Sequence, residues 1–106
     1  MADNIVVFIT CSSKKEALNI KDILLKEKKA ACVNILGGID SFFWWKNRID
    51  SCREILLIIK SKRKLFNKIV ALVKKAHKYE VPEIIALPIV EGNKDYLDWI
   101  GRSVKN

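Results

Sequence analysis

Two long extended stretches, joined by a turn of only two residues, constrain this chain more than any other feature. Ala30 to Trp45 reads as a strand of alternating and then continuous apolar residues, and Arg48 to Lys60 reads as its return, ending in Ile55-Leu56-Leu57-Ile58-Ile59. Lys46-Asn47 between them fits a tight hairpin, because asparagine tolerates the left-handed backbone that such turns need. Gly37-Gly38 inside the first stretch marks a bend or bulge. Strands this long exceed the usual span of about 5–6 residues. In a chain of 106 residues their ends must project beyond the domain. Phe42, Phe43, Trp44 and Trp45 lie on the projecting part, and an aromatic arm of that kind is normally buried by another subunit.

The rest of the chain sets the frame for the hairpin. Ile5-Val6-Val7-Phe8-Ile9 is a short β-branched run and reads as a buried strand. Ser13 followed by Glu16 fits a capping box and starts a helix, whose Ala17, Leu18, Ile20, Leu24 and Leu25 share one face, running to about Lys28. Lys62 to His77 is a second helix with Leu65, Phe66, Ile69, Leu72, Val73 and Ala76 as its apolar stripe. Glu83 to Val90 is a last strand, and Pro88 within it argues for a sheet edge or a bulge. Gly92-Asn93 leads into a short C-terminal helix around Tyr96, Leu97 and Ile100. The order βαββαβ with right-handed crossovers predicts one α+β domain over residues 1–106. It is a ferredoxin-like sandwich with a four-stranded antiparallel sheet in the order 4-1-3-2 and both crossover helices on one face.

Charge and cysteine content narrow the function. Twenty basic against twelve acidic residues give +8. The window Lys60 to Tyr79 holds eight of the basic residues and no acid, so the remainder is balanced. Lys64, Lys68, Lys75 and Lys78 read as a solvated helix face with no specific nucleic-acid site. An RNA-recognition domain needs stacking aromatics on its middle strands, and Arg48 to Lys60 has none. Cys11, Cys32 and Cys52 are too widely spaced for a zinc ribbon, a thioredoxin motif or a soft-metal chaperone loop, and an odd number excludes a disulfide framework. Reduced thiols and the absence of a signal-peptide or membrane-spanning pattern point to the cytoplasm.

Topology gathers distant residues at one end of the sheet. The first strand ends there, the second helix ends there, and the last strand begins there. Cys11, His77 and Glu83 are thereby expected together, a thiolate, imidazole and carboxylate set that suits copper or zinc in an open site. The helix N-terminus near Ser13 is expected to favour the Cys11 thiolate. Cys11 with His77 also has the makings of a nucleophilic pair, but no third orienting residue or oxyanion pocket accompanies it.

Several separated motifs, in order, resemble the CutA divalent-cation tolerance family. They are Ala31-Cys32-Val33-Asn34-Ile35, Trp45, Tyr79-Glu80-Val81-Pro82-Glu83-Ile84, Ala86-Leu87-Pro88 and Gly92-Asn93-x-Asp95-Tyr96-Leu97-x-Trp99. The resemblance covers about Val6 to Val104. It departs at Ser12, where the family usually has proline, at Lys78, which interrupts a His-Pro-Tyr motif, and at Lys46-Asn47, where the hairpin commonly reads Glu-Gly. The resemblance implies a homotrimer of PII-like architecture, no catalytic activity, and a role in tolerance of divalent metals, copper above all. The alternative is a PII-like regulatory trimer that binds a small anion or partner protein in the cleft between subunits.

Overall fold

The computed structural model describes residues 3–106. Its order is β1 (Asn4–Cys11), α1 (Lys14–Lys26), β2 (Cys32–Trp45), β3 (Arg48–Lys62), a single 3-10 turn (Arg63–Leu65), α2 (Phe66–Ala76), β4 (Ile84–Pro88) and α3 (Lys94–Ser103). The sheet runs β2-β3-β1-β4, antiparallel throughout. This is the expected ferredoxin-like order. The second helix starts later than Lys62, because β3 stays paired to that residue opposite Asn4 and the Arg63 N–H donates to the Asp3 carbonyl.

Residues directly opposite one another in a sheet share a face, and the register therefore sorts the side chains. Ile5, Val7, Ile9 and Cys11 of β1 align with Ser61, Ile59, Leu57 and Ile55 of β3 on the face covered by α1 and α2. Ile20 and Leu24 of α1 and Ile69 and Val73 of α2 close the core over them, all buried. At about 25 cal/mol per Å² of apolar surface removed from water, this one-sided core is the main stabilising term.

The opposite face is treated differently. Phe8 lies between Ile58 and Ile85, Val6 lies opposite Leu87, and Leu36 lies opposite Leu56. Neither α1 nor α2 reaches this side. The C-terminal helix α3 reaches only its lower end, where Tyr96 interacts with Cys32 and Gly101 sits beside Lys62. The rest of this face is left open, with Leu36, Ile85 and Leu87 each about half exposed.

The hairpin projects as expected. β1 pairs with β3 only from Ile55 to Lys62, so the segment from Arg48 to Glu54 is paired with β2 alone. The molecule is accordingly elongated, 44 × 26 × 22 Å. The register of β2 and β3 slips between Leu36 and Ile39, which is the bulge that Gly37-Gly38 announces, and Gly38 has φ +73°. At the tip Lys46 (φ 50°) and Asn47 (φ 65°) are both left-handed, the signature of a type I′ turn. Phe42 and Trp44 are more than 70% exposed on this arm.

Candidate functional site

The end of the sheet where β1 stops gathers the buried polar residues Thr10, Glu16 and Glu54 and the buried side chain of His77. Ser13 caps α1 by accepting from the Glu16 N–H at 3.1 Å. Glu16 turns back in the manner of a capping box. One carboxylate oxygen accepts from the Ser12 N–H at 3.0 Å and the Ser12 hydroxyl at 3.1 Å. The other accepts from the Lys78 N–H at 2.7 Å, sixty-two residues away. Glu16 thus ties the start of α1 to the loop after α2. Burial alone raises a carboxyl pKa, but the hydrogen bonds from the Lys78 and Ser12 N–H groups hold Glu16 below the usual value.

His77 occupies the space between that loop and β1. Its Nε2 lies 2.7 Å from the Thr10 carbonyl oxygen, and its Nδ1 lies 3.1 Å from the Tyr79 backbone nitrogen. A carbonyl only accepts and a backbone N–H only donates. The ring is therefore protonated on Nε2 and bare on Nδ1, with both nitrogens engaged and the side chain fully buried. The ring of Tyr79 packs against it at 4.8 Å. The Tyr79 hydroxyl donates to Glu54 at 2.8 Å and lies 4.0 Å from the Cys52 sulfur. Burial, and then the Glu54 carboxyl, push the Tyr79 phenol upward, so it remains a donor.

His77 reaches the end of β1 through the carbonyl of Thr10, the residue before Cys11, and its ring nitrogens engage backbone groups rather than the Cys11 sulfur. The expected thiolate does not form. Cys11 is fully buried and its sulfur lies 3.6 Å from the Ser13 carbonyl, so its S–H has an acceptor. Burial, followed by the Glu16 charge, pushes its pKa up to about 11. The helix N-terminus favours an anion there, but Glu16 already supplies that negative charge. Glu83 stands apart as an exposed side chain at the entry to β4. Among the described residues no three His, Cys, Asp or Glu side chains form a group that could hold a metal ion. As arranged, Cys11, His77 and Glu83 do not fit a bound copper or zinc.

Two members of the cluster escape sequence reasoning. Glu16 reads as a helix cap and nothing in its spacing shows its bond to Lys78. Glu54 lies on the arm side of β3, and only the return of the loop after α2 brings Tyr79 onto it. The arrangement as a whole is a lock in which β1, α1 and the loop before β4 are joined by side-chain bonds to backbone groups, and β3 is tied in by the Tyr79–Glu54 side-chain bond. The remaining thiols, Cys32 and Cys52, are free and partly exposed.

Comparison with known proteins bears directly on this architecture. The family model for CutA1 divalent ion tolerance protein matches residues 5–103. The divalent-cation tolerance protein CutA of Thermus thermophilus is 45% identical over 95 residues, covering 90% of this chain and 92% of that protein. The chloroplastic protein CutA 1 of Oryza sativa is 42% identical over 102 residues, covering 96% of this chain. The chain spans only 58% of the length of that rice relative. The crystal structure of CutA1 from Oryza sativa superposes with a TM-score of 0.95 at 41% identity, over 99% of this chain and 96% of that one. Among the described residues no helix is long and apolar enough to cross a membrane.

Proposed function

The chain belongs to the CutA1 divalent ion tolerance family, and from that premise we propose that it acts as a non-enzymatic homotrimer serving tolerance of divalent cations, copper above all. The observation that carries the assembly is the open face of the sheet. Leu36, Leu56, Phe8, Ile58, Ile85 and Leu87 form cross-strand apolar rows with no helix over them. A two-stranded arm bearing exposed Phe42 and Trp44 projects beside them. An isolated two-stranded hairpin is marginal in water, and a large exposed apolar patch marks an association surface. PII-like packing about a three-fold axis covers both features with copies of the same chain.

The buried cluster serves this reading as scaffold. It fixes the loop before β4 and thereby sets the edge strand that borders the open face. No ligation step follows from Cys11, His77 and Glu83 in the observed arrangement. The chain works in the cytoplasm in this reading, and its three unpaired thiols agree with a reducing compartment. Solution mass together with copper sensitivity of cells lacking the protein tests the proposal. A trimer and a restored tolerance on re-expression support it, whereas a monomer with no effect on tolerance removes it.

A second reading is supported by one feature. A groove of about 450 Å³ beside β4 is lined by Phe66, Asn67, Ala86, Leu87, Pro88 and the guanidinium-bearing Arg63. A PII-like trimer that takes a small anion or a partner protein between subunits uses such a groove. Binding of that kind weakens with salt and with Arg63→Gln, and copper tolerance is then unaffected by the variant.

A further inference from the structure

The three helices differ in how they handle charge. α1 interleaves its lysines with Glu16 and Asp22, and Lys21 contacts Asp22 at 2.7 Å. α3 carries the i,i+4 pair Lys94–Asp98 at 2.8 Å. α2 has no acid on it or in the residues that flank it, Lys60 to Tyr79. Lys64, Lys68, Lys74, Lys75 and Lys78 are all exposed there. Among the described residues none of these five ammonium groups has an ion-pair partner. Lys68, Lys74 and Lys75 lie on α2 itself, while Lys64 in the preceding 3-10 turn and Lys78 just past the helix extend the same run of positive charge. Lys64 also stands at the N-terminal end, where a cation opposes the helix dipole. A face kept only for solubility mixes its signs. This face does not: it carries five of the eight basic residues in the acid-free window from Lys60 to Tyr79, the others being Lys60 and Lys62 of β3 and Arg63.

We propose that the outward face of α2 docks the phosphate backbone of a nucleic-acid duplex, without regard to base sequence. The strip is convex, and the eleven residues of α2 give it about 16 Å of length at 1.5 Å per residue. Its outward positions are lysines interrupted only by Asn67 and Ala71. No aromatic residue stands among them to stack on unpaired bases. No large apolar residue is available to enter a bilayer, nor to form the desolvated anchor that a protein interface needs. A repeating array of outward-facing anions is what this array of cations complements, and release of counterions drives the contact.

The test uses a 20-base-pair duplex of arbitrary sequence with the full chain at 50 to 200 mM salt. Four phosphate contacts predict a fall of about 10²-fold in affinity across that range. Replacing Lys64, Lys68, Lys74 and Lys75 with glutamine should lower affinity at 100 mM salt at least tenfold and reduce the salt slope by about 3 to 4. Replacing Lys14, Lys15, Lys26 and Lys105 removes the same charge elsewhere and should change affinity less than threefold. If the first variant does not fold, the pair Lys68→Gln and Lys75→Gln serves, with a slope change of about 2. Equal losses in the two sets overturn the proposal, since net charge alone then accounts for binding. So does absence of binding at 100 mM, or a tenfold preference among duplex sequences. Equal competition by poly-glutamate or by phosphatidylserine vesicles overturns it in favour of an acidic protein or a membrane surface.

Discussion

His77 donates from Nε2 to the carbonyl oxygen of Thr10 across 2.7 Å, and so joins the chain that leaves α2 to the last residues of β1. Its other nitrogen accepts from the Tyr79 N–H. Truncating this side chain strands a buried acceptor and a buried donor together, and unsatisfied groups of that kind cost about 1–3 kcal/mol each. His77→Ala should therefore lower unfolding free energy by about 2–4 kcal/mol. Zinc and copper affinity, read by calorimetry on wild type, Cys11→Ser and His77→Ala, should stay within threefold. A tenfold loss in either variant would show instead that the two side chains ligate metal once the loop opens.

Glu16 sets the acid limb of the stability curve. Its folded pKa lies below its unfolded value, so its contribution is complete above the unfolded value near 4.5 and is lost as pH falls through the lower folded value. Chemical denaturation between pH 7 and 2 should show stability flat near neutrality and falling below about pH 4.5. Glu16→Gln should be less stable than wild type at pH 7 and show a shallower fall in acid. An unchanged acid limb in the variant would contradict the assignment.

Gly38 has φ +73° within the bulge of β2, and a Cβ there would stand 2.8 Å from the Arg53 guanidinium. The guanidinium is the far end of an exposed, flexible side chain and can move, so backbone strain dominates. Gly38→Ala should destabilise the protein by about 1–2 kcal/mol, measured by denaturant titration. Gly37→Ala, with only ordinary contact to Ile55 and no positive φ, should cost far less.

Lys46 is left-handed at the hairpin tip, where asparagine or glycine adopts that backbone more easily. Lys46→Asn should stabilise the chain by up to about 1 kcal/mol. Its checks are the same titration and an unchanged solution mass. A loss of stability would mean that the lysine side chain makes a contact in the assembly.

Local chemistry was legible in the sequence and long-range closure was not. Ser13 and Glu16 announce their own cap, Gly37-Gly38 their bulge, and Lys46-Asn47 their turn, because each depends on a few neighbouring residues. Strand order follows from crossover handedness, which leaves few arrangements of βαββαβ. Topology also places Cys11 and His77 at one end of the sheet. It does not reveal that Cys11 is sealed from solvent beside Glu16, which keeps the thiol protonated against the pull of the helix terminus. Nor does spacing reveal that Glu16 reaches Lys78 or that Tyr79 reaches Glu54. Those bonds depend on how the loop after α2 folds back, and no periodicity encodes that path. The position of α3 across the lower open face is likewise set by packing.

The central claim is that the open face of the sheet and the aromatic arm are covered by two further copies of the chain. Light scattering on the purified protein at micromolar concentration tests it most directly. The account predicts a single species at three times the 12.2 kDa chain mass. It also predicts that Ile85→Asp combined with Leu87→Asp dissociates this species. A stable, folded monomer in the unmodified protein would contradict the account.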